Sequence, residues 1–307
     1  MAPSISPESS CLPNAKADAH VVFDLLSAGG VAIVPTEVGY GLISASAEGI
    51  ERSFRVKQRK PGHTLGVLGT WETRRQLHDL PEEKFRISKT VTEEYGSLLA
   101  IVAPYQQNNP RLSRLSDQTR ERIFVGQTLG IGILEGPFGR ELGKLMDDNG
   151  GLIFGSSANL TGRGQKFRVE DIEPEVKDCA DLIVDYGLQR YWLDGRAGTN
   201  IDLDNMKVLR IGAGYEVLAE RLKKWFDIDL PEEPEFNPRS RTAKSVGVSL
   251  LSRKYNYCTL ERCLLACMSE TRRTCPIIDV RAHVKRIETD ARRSLLKARG
   301  LYSARSP

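Results

Sequence analysis

The stretch Val31-Ala-Ile-Val-Pro-Thr-Glu-Val-Gly-Tyr-Gly41 decides how the larger part of the chain reads. Val31 to Val34 is a short apolar run, rich in β-branched residues and without polar alternation. Such a run is a strand buried on both faces, as in a sheet covered by helices. Pro35 ends it, and a polar loop follows with one hydroxyl, one carboxylate, one phenol and two glycines. In an α/β sheet the loops at the carboxyl ends of strands open onto the crevice where ligands bind. Thr36 and Tyr40 are therefore candidate ligand contacts, although a turn with no ligand fits the same residues.

Working outward, Ala15 to Ala28 carries Val21, Val22, Leu25 and Leu26 at helical spacing, and Gly29-Gly30 stops it. Ala47 to Lys57 repeats the pattern with Ile50, Phe54 and Val56, and Thr64 to Leu68 reads as another buried strand. Helical stretches are expected at Trp71 to His78, Phe138 to Asp147 and Val169 to Val176. Strands are expected at Ser97 to Ala103, Leu129 to Leu134, Leu152 to Phe154, Leu182 to Asp185, Thr199 to Asp202 and Lys207 to Ile211. Gln106 to Gln118 is polar and turn-rich and reads as a loop. Alternation of the two patterns makes the fold α/β.

Boundaries follow from composition. Residues 1–14, rich in Ser and Pro with no basic or apolar signal region, read as a disordered leader. Residues 15–228 form the main domain. Three prolines and three acids between Leu230 and Pro238 mark a linker over 229–240, and 241–307 is a basic, Cys-containing extension, disordered or helical. The charge is segregated: residues 231–307 hold 16 Lys or Arg against 8 Asp or Glu, leaving 28 against 32 in the first 230. That balance argues against a globally basic nucleic-acid binder in the main domain, while the extension is suited to phosphates. No stretch approaches the about 20 apolar residues that cross a bilayer. Of six cysteines, four fall at 258, 263, 267 and 275, spacings unlike those of a zinc site. A reducing, cytoplasmic location is the simplest expectation.

Two further clusters carry chemistry. Arg55-Val-Lys-Gln-Arg-Lys60 closes the helix from Ala47. Cations at a helix C-terminus stabilise the macrodipole, but Lys57 and Arg59, alternating on an extended segment, would also present two positive groups to a triphosphate. Phe154-Gly-Ser-Ser-Ala-Asn-Leu-Thr-Gly162 is a strand running into a loop of hydroxyls and an amide, small enough to approach phosphate or ribose. It lacks the Gly-Lys-Ser of a Walker loop.

In order and spacing the three clusters resemble the signature of the YrdC-like threonylcarbamoyl-adenylate synthase family. Pro35 to Gly41 matches its Pro-Thr-Glu-x-x-Tyr-Gly, Lys57 to Arg59 its Lys-x-Arg, and Ser157 to Gly162 its Ser-Ala-Asn-x-(Ser/Thr)-Gly. His63-Thr-Leu65, Gly198-Thr-Asn-Ile-Asp202 and Leu209-Arg-Ile-Gly-Ala213 agree with flanking segments. The resemblance implies a twisted mixed sheet with flanking helices around a concave, positively charged cavity. It implies a nucleotidyltransferase that joins L-threonine, bicarbonate and ATP, with Mg²⁺, into threonylcarbamoyl-adenylate and pyrophosphate for modification of tRNA at A37. Lys57, Arg59, Ser157, Asn159, Thr199 and Arg210 would bind ATP; Thr36, Tyr40, His63 and Ser156 would line the substrate site. No covalent nucleophile and no protein metal ligand is implied.

Three departures stand against the pattern. Gly96-Ser-Leu-Leu99 replaces a Gly-Pro-x-Thr, Gly132 falls where an arginine is usual, and the proline after Lys-x-Arg is displaced to Pro61. They keep open a paralogue using another carbamoyl-adenylate, and a non-catalytic protein that binds nucleotide or double-stranded RNA, with the basic extension touching RNA.

Overall fold

The computed structural model describes residues 2–5, 13–59 and 62–231. Expectations about residues 241–307, and about Lys60 and Pro61, lie outside the described residues.

The expected helix at the start is α1 (Ala15–Ser27), capped by the Asn14 side chain on the Ala17 amide and ended where Gly29 takes φ +89°. Then come β2 (Val31–Pro35), β3 (Tyr40–Ser44), α2 (Ala47–Val56), β4 (Gly66–Gly69) and α3 (Trp71–Leu77). Helices α4 (Glu82–Lys89), with a π-helical turn Thr90–Glu94, α5 (Pro110–Ser113) and α6 (Asp117–Ile123) surround β5 (Ala100–Pro104). The second half holds β6 (Phe124–Val125), β7 (Thr128–Ile133), α7 (Gly136–Asp148) and β8 (Ile153–Ser157). It continues with α8 (Pro174–Cys179), β9 (Leu182–Val184), β10 (Asn200–Asp202), β11 (Lys207–Arg210) and α9 (Tyr215–Phe226).

The strands form one mixed sheet in the order β1-β9-β2-β3-β8-β4-β7-β5-β10-β11, where β1 is Ser4–Ile5 and β6 pairs with β7 off this path. Several expectations are corrected here. Ser4–Ile5 is not disordered: it adds a parallel edge strand to Ile183 and Val184, because that edge offers open backbone groups. Gln106 to Gln118 is not all loop, since Asn109 caps a short helix within it and Ser116 caps a second that starts at its end. The single helix expected at Val169 to Val176 is split into a 3₁₀ turn, Val169–Asp171, and α8, because Pro174 fits only a helix start.

Two faces of the sheet are dressed differently. On one, α1 and α7 cover Ala32, Val34, Ile43 and Ile153 of β2, β3 and β8. On the other, α2 and α3 pack on Val67, Ile131 and Phe154; α4 and α9 pack on Ile101 and Ile201; α8 packs on Ile33 and Leu42. What remains is the first face of β4, β7 and β5. Its residues Gly66, Gly130, Gly132, Ala100 and Val102 are only half-buried and alternate with fully buried neighbours, while Leu68 reaches the cluster under α1 and α7. Along a flat sheet β3 and β10 would stand about 24 Å apart at the usual strand spacing. Yet a Cβ on Gly198, just before β10, would lie 3.5 Å from Val38 in the β2–β3 turn. The sheet therefore curls around this open face and makes it concave.

Candidate functional site

Helix α2 runs from a Ser46 cap to Lys57 and ends in a Schellman turn rather than an extended segment. The Gln58 amide donates to the Arg55 carbonyl at 3.1 Å and the Arg59 amide to that of Phe54 at 3.2 Å, with Gln58 at φ +49°. This left-handed residue, not strand alternation, sets the directions of the two cations.

Lys57 is 2% exposed, and its Nζ donates to the carbonyl of Ser157 at the end of β8. The Thr161 hydroxyl returns a bond to the Lys57 carbonyl at 2.7 Å, so the helix end and the loop after β8 are stitched from both sides. Burial, and next the positive field of Arg59, push the Lys57 ammonium down to about 7. Arg59 is lowered by burial as well; it donates to the Thr64 carbonyl at 2.8 Å and lies 5.2 Å over the Phe54 ring. Neither is paired with a carboxylate among the described residues. Glu173, whose field reaches Lys57, is held by Lys166 at 2.7 Å and by the Leu160 amide. One buried and one half-buried cation without a paired carboxylate among the described residues make a candidate anion site.

Beside them, Ser156 Oγ and Asn159 Oδ1 are buried with no partner, while Asn159 Nδ2 donates to the Leu160 carbonyl. Unspent buried polar atoms next to an anion site are what a nucleotide would satisfy. The loop after β8 and the Lys-x-Arg segment, 100 residues apart, thus come together.

The remaining expected site residues sit elsewhere on the rim. Thr36 closes the β2–β3 hairpin, its hydroxyl donating to the Gly39 carbonyl at 2.6 Å. The Tyr40 phenol is turned to the opposite face: it donates to Asp185 at 3.0 Å and the Gly187 carbonyl at 2.8 Å, and accepts from the Tyr186 amide. Burial, and then Asp185, push that phenol up, so it stays protonated. Thr199 is fully buried and caps the Gly212 amide at 3.1 Å; Arg210 donates to the Gly198 carbonyl at 2.8 Å and to Asn200. Both brace the segment that meets Val38. His63 is exposed.

A separate cavity of about 540 Å³ opens at the carboxyl end of β2, lined by Pro35, Thr36, Glu37, Glu135, Gly136 and Arg190 among others; Lys57 and Ser157 do not line it. Glu135 there is raised, first by burial and then by Glu93. Sequence reading also missed Arg74 and His78, one turn apart on α3 and both fully buried. Their placement beside buried Leu77 was the available signal.

Lys57, Arg59 and the loop after β8, on the rim of a concave α/β sheet, define an α/β protein with a candidate anion site. Residues 24–212 match the family model Sua5_yciO_yrdC, described as Telomere recombination, and the chain belongs to that family. Among solved structures it is similar to the hypothetical protein smu.1377c from Streptococcus mutans UA159, with 22% identity and TM-score 0.60 over 77% of this chain and 100% of that one. It is similar to E. coli YciO, at 22% and 0.54 over 70% of this chain and 96% of that one. It is also similar to P. abyssi Sua5 complexed with L-threonine, at 20% and 0.53 over 73% of this chain and 59% of that one. At these identities the likeness is one of fold. No curated protein matches the chain by sequence.

Proposed function

We propose that this chain is an L-threonylcarbamoyladenylate synthase-like nucleotidyltransferase, taking L-threonine, bicarbonate and ATP to threonylcarbamoyl-AMP and pyrophosphate. The observation that carries the reading is the pair of cations without a paired carboxylate, buried Lys57 and half-buried Arg59, against Ser157 and Asn159. In such a reaction an oxygen of the threonine carbamate attacks the α-phosphorus and pyrophosphate leaves. The demand on the protein is positive charge at the leaving group and fixed geometry, with no protein nucleophile. Lys57 and Arg59 suit the β- and γ-phosphates, and Ser157 and Asn159 suit the ribose and α-phosphate. Thr36, Ser156 and His63 would line the acceptor side, and Thr199 and Arg210 would hold the far rim. Tyr40 then serves by fixing the β2–β3 hairpin rather than by touching substrate. Mg²⁺ would enter as MgATP, carried by the substrate phosphates; no group of three or more His, Cys, Asp or Glu suited to a metal assembles among the described residues.

The L-threonine bound to the P. abyssi Sua5 structure supports the choice of acceptor. Incubating the full chain with ATP, radiolabelled bicarbonate and L-threonine should give a threonine-dependent labelled adenylate and pyrophosphate. Folded protein that binds ATP yet yields no such label would end this reading. Gly132 favours a second reading, a paralogue handling another carbamoyl-adenylate, which pyrophosphate release across other amino acids and carbamoyl phosphate would reveal. ATP or RNA binding without any turnover would point to a purely binding role.

A further inference from the structure

Arg74 is the largest fully buried side chain of the described residues, at 0% exposure. It lies between α3, α4 and the covered face of the sheet. Its Nη1 donates to Ser88 Oγ at 2.8 Å, and its Nη2 donates to the carbonyls of Leu99 at 3.0 Å and Ile131 at 3.1 Å. All three acceptors are neutral, Nε has none, and no salt bridge reaches it among the described residues. A buried guanidinium hydrogen-bonded only to neutral groups is costly to keep, and only the fields of Glu93 and Glu135 offset that cost.

Its position says what the charge does. Leu99 and Ile131 immediately precede Ala100 and Gly132, which are register partners across β5 and β7. Those two residues point to the concave face, where a Cβ on Gly132 would meet only Leu68 within 4 Å. The concave face thus has bare backbone at Gly132, and a cation is fixed one peptide unit behind it. We infer that Arg74 is an electrostatic positioning residue for the bound nucleotide, supplying from behind the sheet the positive charge that no side chain provides at Gly132. The inference rests on the proposed ATP-binding reading of the concave face. One charge set behind a low-dielectric sheet changes the affinity of an anionic ligand on the other face by about tenfold. The effect falls with the charge of the ligand, whereas a packing role would not.

The test compares ATP, ADP, AMP and adenosine binding to the full chain by calorimetry, with folding checked by circular dichroism. Arg74→Gln keeps amide donors for the carbonyls and removes the charge. Ser88→Asp keeps Arg74 and neutralises it in place, and so serves if Arg74→Gln does not fold. Each is expected to lose about tenfold in ATP affinity, less for ADP, and nothing for adenosine. Arg74→Lys should stay within about threefold of the unaltered chain. A folded variant whose ATP-to-adenosine affinity ratio is unchanged overturns the inference and leaves the proposed function standing. An unaltered chain that binds no ATP overturns both.

Discussion

Lys57 carries opposite consequences for stability and for binding. An unfolded lysine titrates near 10.5 and this one near 7, so between those values the unfolded chain holds more protons. Stability therefore rises with pH from 7 to 10.5, and below pH 7 the full cost of burying the charge is present. Lys57→Met should stabilise the free protein by about 1–3 kcal/mol at pH 6.5 and flatten that rise, as read by urea unfolding across pH. The same change should weaken ATP binding by about 1–3 kcal/mol. A role confined to capping the helix end would instead lower stability and spare binding. A bound polyphosphate restores the charge, so ATP binding at pH 8 should take up close to one proton, measurable by calorimetry in buffers of different ionisation enthalpy. At the neighbouring position, Gln58 sits at φ +49° where glycine is at ease. Gln58→Gly should raise stability by about 0.5 kcal/mol, the relief of strain exceeding the added chain entropy.

At the level of elements, α3 holds its place through two buried polar side chains rather than an apolar stripe alone. His78 Nε2 meets the Leu129 carbonyl at 3.0 Å, which requires a proton on Nε2. Burial, and next Arg74, push the imidazole down to about 3. Its folded value lies below the unfolded 6.5, so stability contributed by the neutral ring is lost as pH falls from 6.5 toward 3. His78→Gln keeps a donor to Leu129 and should lessen the fall in the urea midpoint over that window, while the carboxylates account for what remains. The charged look of Trp71 to His78 had marked α3 as a helix but hid which residues it buries, because periodicity does not reveal a cation buried against backbone carbonyls. Elements with plain signals, β2 with its β-branched run and α2 with its Ser46 cap, were legible. Strand β3 was not, because Tyr40-Gly-Leu-Ile-Ser44 holds one glycine and follows a loop signature; its pairing with β2 and β8 decides the matter. Closure near β10 depends on Gly212, where a Cβ would fall 2.3–2.4 Å from backbone atoms of Ala197, Gly198 and Thr199. Gly212→Ala should destabilise by more than about 2 kcal/mol in thermal unfolding, since backbone on that side does not yield as a side chain would.

Across the whole molecule, the candidate site is assembled by pairings of long sequence separation, such as Lys57 with Ser157 and Gly198 with Val38. The motifs named these residues, but only the curled sheet tells that Thr36, Tyr40, Thr199 and Arg210 are spread along a rim rather than gathered at Lys57. Charge is also spread unevenly along the chain: residues 231–307 carry 16 Lys or Arg against 8 Asp or Glu, and the first 230 carry a small excess of acid. The main domain carries more acid than base, so any affinity for a nucleic-acid backbone should come from the C-terminal segment. Counterion release makes such binding steeply dependent on salt. If four or five phosphates are engaged, affinity for a tRNA should fall about 10²-fold between 50 and 200 mM salt. Deleting residues 232–307 should abolish that salt-dependent component while leaving MgATP affinity within about twofold, because Lys57, Arg59, Ser157 and Asn159 all lie before the cut. Filter binding against salt for the full and shortened chains reads the first quantity and calorimetry the second. RNA binding that persists in the shortened chain with an unchanged salt slope would move the RNA contact onto the main domain.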